Sequence, residues 1–250
     1  MNDVLPKTLV TALRTLTILP IPGEDSDSPK NALPWFPLVG AILGILIWIP
    51  LAGLQHLWNW PAGLSLIAIV LSIVLTRGLH LDGLADWADA FWGGWDRERK
   101  LAIMKDSALG TFGTVALIVI LLAKWCSIAA LVENGSMHWI ILGLIISRAI
   151  QVDLAVTHPY ARTEGGTGDA FISQADQQQW SPAFWSAVVL VLLFGGFSWR
   201  PLATLALAAL VGRVFGKWCQ AKVGGMTGDL LGAASELTET LVLMLGAAML

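Results

Sequence analysis

Apolar residues run along this chain in long blocks, and the short polar stretches between them carry most of the charge. Crossing about 30 Å of hydrocarbon takes about 20 helical residues. Seven blocks are long enough to be spans: 36–55, 62–79, 111–132, 137–157, 182–198, 201–219 and 230–250. The fifth and sixth are parted only by Ser198-Trp199-Arg200-Pro201, which reads as a tight hairpin because Pro starts a helix better than it continues one. Ahead of them, 5–19 is rich in Leu and Thr but carries Lys7 and Arg14, so it is expected to lie along the membrane interface. Pro20 to Gly23 and Glu24 to Pro29 then read as a loop, with no small-residue cleavage site and hence no signal peptide. The expected fold is all-α, one polytopic transmembrane bundle over 1–250 with six to seven spans plus an N-terminal interfacial helix.

Composition agrees with this pattern. Of the 250 residues 56% are hydrophobic and 13% charged, against roughly a quarter charged in a soluble domain. The mean hydropathy is +0.69, and 25 Gly with 13 Trp suit close helix packing and interfacial anchoring. A net charge of -3 leaves no basis for a nucleic-acid partner. Cys126 and Cys219 lie in separate apolar stretches and read as buried thiols, not as a zinc site or disulfide framework. Trp35, Trp58, Trp60, Trp139, Trp180 and Trp199 fit interfacial anchors, and His56 and His138 fall in outer turns.

The placement of charge is more informative than its sum. Lys7, Arg14, Lys30, Arg97, Arg99, Lys100, Lys105, Arg162, Lys217 and Lys222 fall in one set of loops, and the other set holds only Arg200. By the positive-inside rule the first set faces the cytoplasm. The carboxylates share that face, with Glu133 alone in an outer loop, which favours a one-sided active site.

Three polar blocks on that side carry candidate chemistry. In Arg77-Gly-Leu-His-Leu-Asp-Gly-Leu-Ala-Asp-Trp-Ala-Asp89, Asp82, Asp86 and Asp89 project from one helical face, because at 100° per residue Asp86 and Asp89 lie 40° and 20° to either side of Asp82. Such carboxylates repel one another unless a cation sits between them, and hard oxygen donors suit Mg²⁺. His80 reads as a hydrogen-bond partner beside them. The second block, Lys105-Asp-Ser-Ala-Leu-Gly-Thr-Phe-Gly113, offers Lys105, Asp106, Ser107 and two glycines; it either closes over a phosphate with its backbone N–H groups or packs closely through Gly110 and Gly113. In the third, Gly224 to Glu239, Asp229, Glu236 and Glu239 share a face, with Thr227 or Asp229 able to cap the helix. Arg148, inside the fourth span, needs an anion, either Asp153 or a phosphate. The loop from His158 through Tyr160 and Arg162 to Glu164-Gly-Gly-Thr-Gly-Asp169 is long enough for a lid or a nucleoside cradle.

Together these blocks resemble the cobalamin synthase family, the membrane adenosylcobinamide-GDP ribazoletransferases. The resemblance runs over nearly the whole chain: Thr17-Ile-Leu-Pro-Ile-Pro22, Phe36-Pro-Leu-Val-Gly40, His80-Leu-Asp-Gly-Leu-Ala-Asp86 with Asp89, Ile103-Met-Lys-Asp-Ser107 with Gly110-Thr-Phe-Gly113, Tyr160-Ala-Arg162, and Gly225-Met-Thr-Gly-Asp-Leu-Leu-Gly-Ala-Ala-Ser-Glu236 with Glu239. Trp87 and Ala90 depart from the family's smaller residues beside the acidic face. The resemblance implies that the 5′ hydroxyl of α-ribazole, or its phosphate form, attacks adenosylcobinamide-GDP and GMP departs, with Mg²⁺ as cofactor at a bacterial inner membrane. On that basis Asp82 and Asp86, with one or more of Asp89, Asp106 and Asp229, are expected to hold the metal. Asp89 or Glu236 is expected to act as base, and Arg77, Lys105, Arg148 or Arg162 to grip the diphosphate, with His80, Ser107 and Glu239 completing the substrate site. The implied partners are the two substrates and the lipid bilayer, and a homo-oligomer is left open.

Acidic pairs also occur in CDP-alcohol phosphotransferases and in Mg²⁺-dependent prenyltransferases. The first expects Arg where Asp86 follows Ala85, and the second an NDxxD spelling that neither acidic block has. A cation transporter relaying ions through the carboxylates is the other alternative, but the outer face offers almost no charged entrance and no inverted repeat is visible.

Overall fold

The structure, a computed structural model, describes residues 5–250. Its helices are α1 (Lys7–Leu16), α2 (Phe36–Gln55), α3 (Pro61–Thr76), α4 (Leu79–Gly93), α5 (Arg97–Ile103), α6 (Thr111–Glu133), α7 (His138–Thr157), α8 (Asp169–Ile172), α9 (Gln177–Gly195), α10 (Trp199–Val223) and α11 (Gly228–Ala248), with a 3-10 segment over Pro29–Trp35. No strand forms among the described residues beyond one isolated bridge between Tyr160 and Met226. The all-α expectation is met.

The central helix is α7, enclosed by α2, α9, α10 and α11 and buried along nearly its whole length. Helices in lipid gain nothing from hiding apolar surface from one another, so close packing must supply the contact. Gly40 and Gly44, one helical turn apart on α2, do this against α7: a Cβ at Gly44 would stand 2.7 Å from Ile141 Cα. On the far side α3 packs against α6, and α4 and α6 pack against α11.

Among the described residues five helices are long and apolar enough to span alone: the continuous helical stretch 29–55, α6, α7, α10 and α11. The second expected span, 62–79, stops at Thr76, because Arg77 and Gly78 take left-handed conformations (φ 55° and 65°) and turn the chain by 91° into α4. Sixteen residues reach only about 24 Å at 1.5 Å each. Counting the bent pair α3–α4 as one crossing brings the total to six. The expected fifth span, 182–198, overlaps α9 but runs past its end at Gly195, and the opening turns Gln177-Gln-Gln-Trp-Ser leave too short an apolar window for that count.

The loop readings converge at one end of the bundle. Ile18 N–H donates to Leu75 O (2.8 Å), Lys30 to Gln174 O (2.9 Å), and Arg97 to Val223 O (2.9 Å). The amphipathic α1 buries Val10, Leu13 and Leu16 there, while Arg14 folds the following loop back through Ile21 O (2.9 Å) and Asp25 (2.7 Å). The opposite end carries exposed Trp58, Trp60 and Trp199, as anchors should be. Trp139 is instead buried against Gly246, and Trp180 donates to Asp153 (2.7 Å), so neither is a simple anchor. Cys219 is buried as expected, whereas Cys126 is exposed on the flank of α6.

Candidate functional site

Because α3 ends short, α4 lies across the end of the bundle and carries its three aspartates past α6 and α11. The shared face is present, but the three side chains differ in what they touch. Asp89 is buried, and its two oxygens accept from Gly110 N–H (2.7 Å) and Gly113 N–H (2.9 Å). The glycine pair of the second block therefore does bind an anion through backbone N–H groups, and that anion is a carboxylate of this chain. A side chain at Gly113 would collide with Asp89 and with Ala85 O. Asp82 is exposed and Asp86 half-buried, and neither carboxylate takes part in a hydrogen bond or ion pair among the described residues.

Opposite them stands the start of α11. Thr227 Oγ1 accepts from Leu230 N–H (3.2 Å) and is the N-cap, leaving Asp229 in the first turn. Glycine sets the spacing here: a Cβ at Gly83 would lie 2.6 Å from Asp229 O and 3.0 Å from its Cα. Asp229 Oδ2 accepts from Arg162 (2.8 Å) and from Thr227 Oγ1 (3.3 Å), and Oδ1 carries no bond among the described residues. The charges of Asp82, Asp89, Asp229 and Arg162 all bear on Asp86. No three His, Cys, Asp or Glu side chains among the described residues converge into a metal-holding group by themselves. Asp106 is exposed in the α5–α6 loop, where its Oδ1 accepts from Ala108 N–H (3.1 Å), and Ser107 beside it is exposed.

The loop expected as lid or cradle is stitched down at its start, where Ala161 N–H donates to Met226 O (2.9 Å) and Met226 N–H to Pro159 O (2.8 Å). Arg97, which spacing did not single out, braces the same strip through Ala161 O (2.6 Å). Burial lowers the pKa of the His158 imidazole, keeping the ring neutral at the end of α7. Further along, exposed Lys105 pairs with Glu164, and the hydrogen bond and charge of Lys105 hold that carboxyl below its usual range. Thr167 and Gly168 then line a cavity of about 230 Å³ with His80, Asp82, Gln151 and Asp229. Asp82 also borders a wider groove of about 610 Å³ that contains Arg77 and runs along Leu117 and Leu121 of α6. The exposed Arg77 guanidinium makes a long bond to Arg14 O (3.4 Å).

A second polar cluster is enclosed in the bundle. Lys124 of α6 bridges Glu236 (2.6 Å) and Glu239 (2.8 Å). Glu239 also accepts from Arg148 (3.2 Å), which reaches Ser147 Oγ (2.8 Å), Ser235 Oγ (3.0 Å) and His80 Nδ1 (3.2 Å). The anion of Arg148 is thus Glu239, while Asp153 is held by both Nε and Nη2 of Arg213 (3.2 and 3.1 Å). Lys124 was hidden in an apolar block. The only signal for it was that a lone Lys within a span needs a partner.

The comparisons with known proteins identify the family. Residues 8–247 match the family model described as Cobalamin-5-phosphate synthase. A protein of Chlorobaculum parvum called adenosylcobinamide-GDP ribazoletransferase is 44% identical over 94% of this chain and 92% of its own length. Proteins of the same name from Chlorobium chlorochromatii and Syntrophobacter fumaroxidans are 44% and 39% identical over 97% and 96% of this chain, and 96% and 97% of theirs. No solved structure matches the chain. With a family match over residues 8–247, and relatives that align over more than nine-tenths of both chains, the chain belongs to the Cobalamin-5-phosphate synthase family.

Proposed function

We propose that this protein is an adenosylcobinamide-GDP ribazoletransferase, joining activated corrinoid to α-ribazole or its 5′-phosphate and releasing GMP. The observation that carries the reading is the pair Asp82 and Asp86, two carboxylates without partners among the described residues, beside an Asp229 that Arg162 holds, with Asp82 and Asp229 lining one cavity at the bundle end. Phosphoryl transfer asks a protein chiefly for position and charge neutralisation. Mg²⁺ usually takes one or two carboxylates and completes its shell with water and substrate phosphates, so a pair suits it better than a closed cage of protein ligands. Asp82 and Asp86 would hold the ion, which supplies neutralisation of the diphosphate.

The other groups divide by what they already touch. Arg77 and Lys105 are exposed cations beside the site and bind the diphosphate, Lys105 by exchanging Glu164 for phosphate. Arg162 orients Asp229, and the unbonded Oδ1 of Asp229 accepts the proton of the attacking hydroxyl. Asp89 and Glu236, the expected bases, are taken up by backbone N–H groups and by Lys124. Arg148 is enclosed by protein partners, so it acts through them and not on a phosphate. The product in the family's description carries a 5-phosphate. An occupied 5′ position cannot attack, so the nucleophile is a hydroxyl of the ribose ring instead of the 5′ hydroxyl. Its oxygen bonds to the corrinoid-side phosphorus, the diphosphate P–O bond breaks, and GMP leaves with that electron pair.

Basic residues gathered at the site's end, against Arg200 at the other, support a bacterial inner-membrane protein with its site facing the cytoplasm. The test is detergent-purified protein with both substrates and either Mg²⁺ or EDTA, following GMP and corrinoid product by chromatography. We expect equal amounts of both products with Mg²⁺, neither with EDTA, and near-complete loss in a monodisperse Asp82→Asn variant. Wild-type turnover by Asp82→Asn, or no GMP from the wild type, would overturn the reading.

A further inference from the structure

Two residues lining the cavity beside Asp82 carry buried polar atoms with no partner among the described residues: His80 Nε2 and Gln151 Oε1. Both residues are more than nine-tenths buried, and leaving such atoms unpaired is costly unless a ligand completes them. Their roles are fixed by what their other atoms do. Arg148 Nη2 lies 3.2 Å from His80 Nδ1, and a guanidinium only donates, so Nδ1 accepts and the ring proton sits on Nε2. Gln151 Nε2 donates to Leu231 O (3.3 Å), which orients its amide and leaves Oε1 as an acceptor. The cavity therefore presents one donor and one acceptor, the complement of hydroxyl groups, which both accept and donate.

Asp82, Asp229, Thr15 and Thr167 border the same cavity, and its other side chains are apolar. Leu16 and Leu33 are buried there, and the rings of Phe36 and Phe171 stand 6.1 Å apart at a tilt. About 230 Å³ is far too small for a corrin macrocycle, whereas a planar apolar bicyclic base suits aromatic and aliphatic walls. We propose that this cavity seats the α-ribazole acceptor, its base against Phe36 and Phe171 and its ribose ring hydroxyls on His80 Nε2 and Gln151 Oε1. This rests on the transferase reading. It gives the buried chain Lys124–Glu239–Arg148 a purpose, since that chain holds His80 in the donor tautomer.

The test is calorimetric titration of α-ribazole, and separately of adenosylcobinamide-GDP, into detergent-purified protein, with steady-state kinetics in parallel. Gln151→Leu should weaken α-ribazole about tenfold or more, the effect of one unpaired polar contact, and leave corrinoid affinity within about twofold of wild type. His80→Ala should do the same, and His80→Gln, which restores an N–H near Nε2, should recover part of the loss. Unchanged α-ribazole affinity and KM in Gln151→Leu, or equal weakening of both substrates, overturns the subsite even when the wild-type enzyme is active. A wild type that releases no GMP fails the transferase reading first.

Discussion

Lys124 shows how a charge survives inside a bundle. It and Arg148 contribute two positive charges, Glu236 and Glu239 two negative ones, and all four are buried. Removing one partner of a buried pair leaves an uncompensated charge, typically at a cost of about 3–5 kcal/mol. Lys124→Met should therefore lower the thermal midpoint of the detergent-solubilised protein sharply, and Lys124→Met with Glu236→Gln should recover part of it, because one unpaired carboxylate is gone. An unchanged midpoint in the single variant would mean that the network is not stabilising. At this scale the sequence was only partly legible. It marked Glu236, Glu239 and Arg148 as ionisable groups in apolar surroundings, but pairing them depends on residues up to 115 positions apart. The same limit applies to Asp89, whose helical face was readable and whose partners, Gly110 and Gly113, were not assigned to it.

Between elements, the decisive feature is the crossing of α4 over α11. Gly83 permits backbone contact with Asp229, and Gly232 lies against His80. A methyl group at Gly83 would force the helices apart by a few tenths of an ångström or more, moving Asp82 and Asp86 away from Asp229. Misplacement of about 1 Å can cost about a hundredfold in rate. Gly83→Ala should accordingly reduce kcat by about tenfold or more in protein that remains monodisperse, measured as GMP release; an unaltered kcat would show that this spacing does not set the site. Helical periodicity placed Asp82, Asp86 and Asp89 on one face correctly. It missed the turn at Arg77 and Gly78, because a left-handed Arg is disfavoured locally and is imposed here by packing.

For the whole molecule, the charged loops meet at one end, where Lys105 pairs with Glu164, Arg162 with Asp229 and Arg97 with Val223 O. If that end is cytoplasmic, Trp58→Cys should react with a membrane-impermeant maleimide in intact cells and Arg99→Cys only after lysis, in a background with Cys126→Ser and Cys219→Ala. The reverse labelling would invert the orientation. Most of the spans, their approximate number, the acidic face and the gathering of charge on one side were determined by the sequence alone, because helix formation and transfer into lipid depend on neighbours within a few turns. Tertiary structure decided which carboxylates stay free, which are consumed by Lys124 or by backbone N–H groups, and where His80 and Gln151 meet in a cavity. Those outcomes depend on helices distant in sequence coming within 3 Å of one another, and local pattern carries no record of that.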